Sequence, residues 1–300
     1  MSFRASVAAL LVSIGVAAVG AQSDQRPTFR SSLDLVSVAV VVRGPDGRLV
    51  KGLRALDFEV LDRGSAQPIV QFQPGEDASA RLALLVDASG SMVVGPKRER
   101  SRIATELLAS GFKETDAASV FSFDSRVLRL TPFTNDRDEL RAAVMSVQPW
   151  GVTCLYDAIV RTINTVADES PRTRAVLLLT DGIDTASVNS PTDAASAAAA
   201  LDIPLYVLSV GKDVADDKAF PLNPEATVTL NDLAGRTGGL ATEAGTAAEL
   251  SMATRNLLNE LRHQYVLAFQ AGTAKGWHDL TVRVKRGRVQ ARSRNGYLVS

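Results

Sequence analysis

"LLVDASGSM", residues 84–92, runs from continuous aliphatics into an aspartate and two serines spaced two apart. The aliphatic part reads as the end of a buried strand, and Asp87, Ser89 and Ser91 crowd three oxygen side chains onto the turn behind it. Such a turn can start a helix, carry a nucleophile or hold a hard cation. The side chains that other elements bring to it decide between these.

From Leu82 onward strands alternate with helices, the pattern of a parallel sheet covered on both faces. "LALLVD" reads as a buried strand, "RIATELLASGF" as an amphipathic helix, "ASVFSFDS" and "VLRLTPF" as strands, and "DRDELRAAVMSV" as a helix with an acidic start. "LYDAIVRTINTVADE" follows as a helix and "RAVLLLTDG" as a central strand. "PTDAASAAAALD" is a helix with Pro in its first turn, "IPLYVLSVG" a strand, and "AAELSMATRNLLNELRHQ" a helix with Leu250, Leu257 and Leu261 along one side. The flanks are β only: "LDLVSVAVVV", "DFEVLD" and "PIVQFQ" before, "YVLAFQA", "HDLTVRVKRG" and "RVQARSRNGYLVS" after. The expected fold is α/β, a doubly wound, mostly parallel sheet with a small β module built from the N- and C-terminal flanks. Its segments are a leader at 1–21, a β-rich flank at 22–80, the α/β domain at 81–262, and C-terminal strands at 263–300 that pair with the N-terminal flank.

Of 300 residues, 46% are apolar and 22% charged, enough for a sizeable core, and the formal net charge of zero removes the electrostatic case for nucleic acid or an anionic membrane surface. "MSFRASVAALLVSIGVAAVGAQ" has Arg4, an uncharged stretch and small residues up to Ala21, the pattern of a secretory leader cut before Gln22. No later stretch is long and apolar enough to span a bilayer, so no membrane span is expected in the mature chain. The single cysteine, Cys154, excludes internal disulfides and reads as a small buried residue.

In an open parallel sheet, ligands sit outside the carboxyl ends of the strands, where the strand order reverses. Asp87 ends one strand, Asp181 follows another, and Thr153 lies in the loop opening the "LYDAI" helix. These five side chains, Asp87, Ser89, Ser91, Thr153 and Asp181, can meet at one sheet edge. "DASGS" (87–91), "GVTCLYDAI" (151–159) and "TDG" (180–182), in this order, resemble the metal-ion-dependent adhesion site of von Willebrand factor A domains, and the resemblance covers residues 81–262. The flanks "GLRALDFEVLDRG" and "RSRNGYLVS" further resemble a bacterial exported subgroup of these proteins.

The resemblance implies a Rossmann-like domain and a divalent cation, Mg²⁺ first, or Mn²⁺ or Ca²⁺. Ser89, Ser91 and in some members Thr153 then bind the metal directly, with Asp87 and Asp181 acting directly or through water. Mg²⁺ takes oxygen ligands and keeps waters readily, and a site with two carboxylates and otherwise neutral hydroxyls leaves the ion under-neutralised toward an outside carboxylate. The plainer readings are a helix cap for Asp87, Ser89 and Ser91, solvated surface rather than support of the site from behind its ligands for Asp157 and Asp184, and a solvent face rather than an anionic docking strip for the basic strand "VRVKRGRVQARSR".

Enzyme readings lack parts. Aspartyl-phosphate chemistry would need a second aspartate where Ser89 stands, no histidine is placed to activate either serine, and no GxxxxGK[ST] loop occurs. The expected function is therefore not catalysis but an exported, periplasmic or secreted, metal-dependent adhesion module that captures an Asp or Glu carboxylate of a protein partner. The alternatives are a scaffold of an envelope assembly with a purely stabilising metal, and a hydrolase without a recognisable motif.

Overall fold

The computed structural model describes residues 35–169, 175–211 and 230–299; the leader reading at 1–21 lies outside them. The N-terminal flank forms β1 (Leu35–Arg43), β2 (Phe58–Asp62), β3 (Ser65–Gln67) and β4 (Ile69–Gln73). After the α/β domain come β11 (Tyr265–Gln270), β12 (Gly276–Val284), β13 (Gln290–Arg292) and β14 (Gly296–Val299). These eight strands make two four-stranded sheets, β13-β1-β11-β4 and β14-β12-β2-β3, each mixing strands from the two flanks. Their pairing is antiparallel, Val38 opposite Leu267 and Val60 opposite Val282, and between the sheets Val38, Val40, Phe58, Val60, Tyr265 and Phe269 are buried. Half-buried alternation is what such a sandwich demands of its strands.

The inserted domain carries one sheet ordered β10-β9-β8-β5-β6-β7, from β5 (Arg81–Asp87), β6 (Ala117–Phe123), β7 (Val127–Arg129), β8 (Ala175–Thr180), β9 (Leu205–Ser209) and β10 (Ala241–Glu243). All neighbours are parallel except β6 with β7. Strand β5 is central and apolar on both faces. Leu82, Leu84 and Val86 pack with the core under α1 (Lys97–Ser110), α2 (Arg137–Ser146) and α6 (Ala247–Arg262), while Ala83 and Leu85 pack with the core under α3 (Leu155–Glu169), α4 (Pro191–Ala200) and α5 (Leu230–Arg236). The chain steps from β5 to β6 on one side and reaches β8 on the other. The order therefore reverses between β5 and β8, where a crevice opens at their carboxyl ends.

Helix α1 begins at Lys97, five residues ahead of the expected "RIATELLASGF" helix. Its first turn, "KRERS", has no apolar periodicity, and Pro96 just before it supplies the helix-compatible start. Helix α5 and strand β10 were not legible in the pattern, being short and followed or preceded by glycines.

The basic strand does not wholly face solvent, as was expected of it. Arg283, Lys285, Arg286 and Arg288 are exposed or nearly so, but Arg292 turns inward to Glu260 of α6, and Arg294 is buried. The Arg294 guanidinium donates to the carbonyls of Ala199 and Ser37, with Nε 3.3 Å from Asp202 Oδ1. Glu260 also accepts from Arg43 Nε at 3.0 Å and from the Tyr206 hydroxyl at 3.0 Å, so ion pairs on a buried glutamate join the sandwich to the α/β domain.

Candidate metal centre

Three loops meet at the crevice. The first leaves β5 through Asp87, Ser89 and Ser91, the second carries Thr153 into α3, and the third leaves β8 through Asp181. Each loop is fastened to the other two. Trp150 N–H donates to Ala88 O (2.7 Å) and Gly90 N–H to Gly151 O (3.0 Å), tying the first to the second. Thr185 N–H donates to Thr153 O (2.9 Å) and Thr153 N–H to Thr185 Oγ1 (2.9 Å), tying the second to the third. The Thr180 hydroxyl donates to Asp87 Oδ2 (2.6 Å) and closes the ring.

Asp87 is 1% exposed and works mainly as an organiser. Its Oδ1 accepts the Ser89 amide at 2.8 Å while Oδ2 accepts the Thr180 hydroxyl at 2.6 Å, so each oxygen already has one partner. Burial holds its carboxyl above the usual carboxylate range, the hydrogen bonds from Ser89 and Thr180 oppose this, and the charge of Asp181 adds to it. That last effect links the two carboxylates electrostatically across the crevice.

The helix-cap reading of this turn fails. Ser89 stands at the N-cap of the short 3₁₀ turn 90–93, yet its side chain makes no cap hydrogen bond; its hydroxyl lies 3.0 Å from that of Ser91. Two adjacent ligands on an octahedral ion with bonds of about 2.1 Å would stand about 3 Å apart. Thr153 is 3% exposed, in the loop fastened to Gly90 and Thr185 beside the same sheet edge. Asp181 Oδ2 accepts from Lys97 Nζ at 3.1 Å, whereas Asp181 Oδ1 is buried with no hydrogen-bond partner. A buried carboxylate oxygen without a donor is costly unless a cation or water meets it. Among the described residues no three His, Cys, Asp or Glu side chains gather into a metal-binding group. The oxygens here come instead from three neutral hydroxyls and two carboxylates, a hard donor set that fits Mg²⁺ or Mn²⁺ rather than a softer metal.

Asp157 and Asp184 are not the solvated surface residues expected. Asp184 Oδ1 accepts the Leu155 amide (2.8 Å) at the start of α3 and the Ser187 hydroxyl (2.6 Å). Asp157, in the first turn of α3, accepts the amides of Val188 (3.1 Å) and Asn189 (2.7 Å). They cross-brace the second and third loops from opposite sides, a role that needs a tertiary contact about thirty residues away in sequence. Cys154 is half-buried, and burial together with the charges of Asp157, Asp184 and Asp124 pushes its thiol up, away from thiolate chemistry. Lys97 and Thr180 are the residues beside the site that sequence reasoning did not name. Pro96 was the available signal for Lys97, since it marks a helix start beside the motif.

The three loops also carry exposed apolar side chains. Of the sixteen exposed large apolar side chains among the described residues, six lie on these three loops: Val93, Val94, Trp150, Val152, Ile183 and Val188. Trp150 is 81% exposed and Val188 94%.

The family model for the von Willebrand factor type A domain matches residues 82–183, from β5 to just past Asp181. No curated protein matches the sequence. Among solved structures, a von Willebrand factor type A protein from Catenulispora acidiphila is similar over 90% of this chain and 75% of its own, at 13% identity and a TM-score of 0.50. An aerotolerance-related membrane protein from Bacteroides fragilis is 20% identical over 61% of this chain and 98% of its own, with a TM-score of 0.47. The manganese-loaded TRAP protein of Plasmodium vivax is 16% identical over 75% of this chain and 96% of its own, with a TM-score of 0.43. The family match spans all five of Asp87, Ser89, Ser91, Thr153 and Asp181, so residues 82–183, on a doubly wound sheet, match the von Willebrand factor type A domain.

Proposed function

We propose that this protein is a binding module, not an enzyme, which captures an Asp or Glu carboxylate of a partner protein through a divalent cation at the β5–β8 crevice. The observation that carries the reading is the partnerless, buried Asp181 Oδ1 at the same sheet edge as the Ser89 and Ser91 hydroxyls, which stand 3.0 Å apart. Ser89, Ser91 and Thr153 would hold the cation directly, with Asp181 beside them and Asp87 holding Ser89 in place. A bound cation supplies an under-neutralised positive point to which an outside carboxylate can attach. The three loops, fastened to one another, keep the donors in position without rearrangement. The rim of Trp150, Val152, Val93, Val94, Ile183 and Val188 supplies apolar area that a lone carboxylate would not use, so the ligand is read as an acidic side chain flanked by apolar ones.

The leader-like residues 1–21 direct this module outside the cytoplasm, to the periplasm or beyond, and the mature chain should begin near Gln22. Among the described residues no helix is long and apolar enough to cross a membrane. Calorimetric titration with Mg²⁺ and Mn²⁺ tests the metal, and capture of envelope proteins with Mg²⁺ or with chelator tests the mode of binding. Saturable metal binding that is lost in Ser89→Ala, with partner capture lost in chelator, is the expected result. Capture at full strength in chelator would overturn the reading.

A further inference from the structure

Lys97 is the first residue of α1, six positions beyond Ser91, and is buried although it is a lysine. Its ammonium lies 3.1 Å from Asp181 Oδ2; the Lys97 side chain keeps 10% of its surface exposed, the Asp181 side chain 2%. Lysines are rarely buried this far unless paired, and the pair here includes a carboxylate of the candidate metal centre. We propose that Lys97 is a tethered cation that competes with the divalent metal for Asp181, holding the metal-free site assembled and leaving Asp181 when the metal binds. The inference rests on the metal-dependent reading above.

Charge and geometry carry it. Asp87 and Asp181 bring two negative charges into a nearly water-free edge, and Lys97 returns one positive charge, so the site's net charge is −1 rather than −2. A divalent ion therefore meets half the negative charge it would find without the lysine, and a repelling ammonium at the carboxylate it must reach. An unpaired buried carboxylate is unfavourable, so some cation has to stand by Asp181 in each state of the site. Lysine suits an exchangeable counter-ion. Its charge is compact and sits on a flexible four-carbon stem, whereas the planar fork of arginine would lock onto the carboxylate. Asp181 is fixed between strand β8 and Gly182, whose N–H donates to Thr180 Oγ1 at 3.0 Å, so the partner able to move is Lys97. The consequence is a threshold: metal occupies the site only where its concentration outweighs the resident ammonium.

The test uses the full chain with Lys97→Met and Lys97→Gln, the second able to give Asp181 a neutral hydrogen bond should the first not fold without metal. Lys97→Arg keeps the charge. Mg²⁺ and Mn²⁺ are titrated calorimetrically, and melting is followed in chelator and in metal. Removing the competing charge should tighten metal binding at least about tenfold in Lys97→Met and Lys97→Gln. Both variants should melt lower than wild type in chelator and gain more from metal, while Lys97→Arg binds metal no more tightly than wild type. Equal metal affinity in wild type and both neutral variants would overturn the role of Lys97 and leave the metal-dependent reading standing. No metal binding by wild type or any variant would overturn both.

Discussion

Asp184 accepts the backbone N–H of Leu155 at 2.8 Å, so the loop after β8 caps a helix that begins 29 residues earlier in the chain. The same side chain holds Ser187, and through Leu155 it fixes the loop that carries Thr153. Asp184→Ala is expected to destabilise the protein by about 1–2 kcal/mol in urea denaturation and to weaken Mg²⁺ binding although Asp184 is not a proposed ligand. Unchanged stability would mean that the cap is replaced by water at no cost.

Asp157 sets a pH dependence. Burial alone would raise its carboxyl, but the hydrogen bonds from the Asn189 and Val188 amides and the Asn189 side chain outweigh this and hold it below its ordinary value. A carboxyl lowered by folding contributes stability above its unfolded pKa and loses it as the pH falls through the folded value, here below about 4. The wild type should therefore lose stability below that pH more steeply than Asp157→Asn, as followed by melting temperature against pH. Parallel curves would remove Asp157 from the acid limb.

The metal should matter more to binding than to folding. Free ion at 100 times its dissociation constant adds about 2.7 kcal/mol by mass action, and with Lys97 already beside Asp181 the metal-free fold should survive. Ser89→Ala and Asp87→Ala should retain the native circular dichroism yet lose metal-dependent partner capture, with Thr153→Ala weakening it. Without metal, an approaching carboxylate meets the charges of Asp87 and Asp181. A folded Asp87→Ala protein that captures its partner at full strength would refute the mechanism.

Trp150 touches little of its own protein, being 81% exposed. Trp150→Ala should leave stability within about 0.5 kcal/mol while costing about 2 kcal/mol or more of partner affinity, the range of a central aromatic anchor. Binding assays beside denaturation curves separate the two quantities.

Arg294→Met removes the donors to Ala199 O and Ser37 O and the ion pair with Asp202. The expected loss is about 2–4 kcal/mol, because two carbonyls and a carboxylate between the sandwich and α4 lose a buried charged donor. A loss under about 0.5 kcal/mol would place this arginine among ordinary surface residues.

The parallel sheet was legible in the sequence because "LALLVD" and "AVLLLT" must be buried on both faces, and continuous aliphatics leave few other folds open. The motif positions on strand ends and a helix start were legible for the same reason: strands and helices fix where the loops between them fall. What stayed hidden depends on contacts between loops distant in sequence. Nothing near Asp157 announces Val188 and Asn189, and nothing in "RVQARSR" separates Arg288, which faces water, from Arg294, which does not. Lys97 escaped because a charged first turn carries no periodicity, although Pro96 marked its start.

The chain enters the α/β domain near Ala78 and leaves it at Arg262, and the Ala78 N–H donates to the Arg262 carbonyl at 3.0 Å. A side chain at Gly75 would collide with the carbonyl of His263, so the two crossings run tightly side by side. Strand β5 leads from this junction to Asp87, a distance of roughly 20 Å for its seven residues. Tension on a captured partner would thus pass down the sheet and divide between two adjacent covalent tethers at its far end. The tethers continue into β4 and β11, antiparallel neighbours with Gln73 opposite Val266. Pulled from that shared end, the two strands are drawn the same way, so the ladder between them is not sheared, and the resistance comes from β1 on the other side of β11.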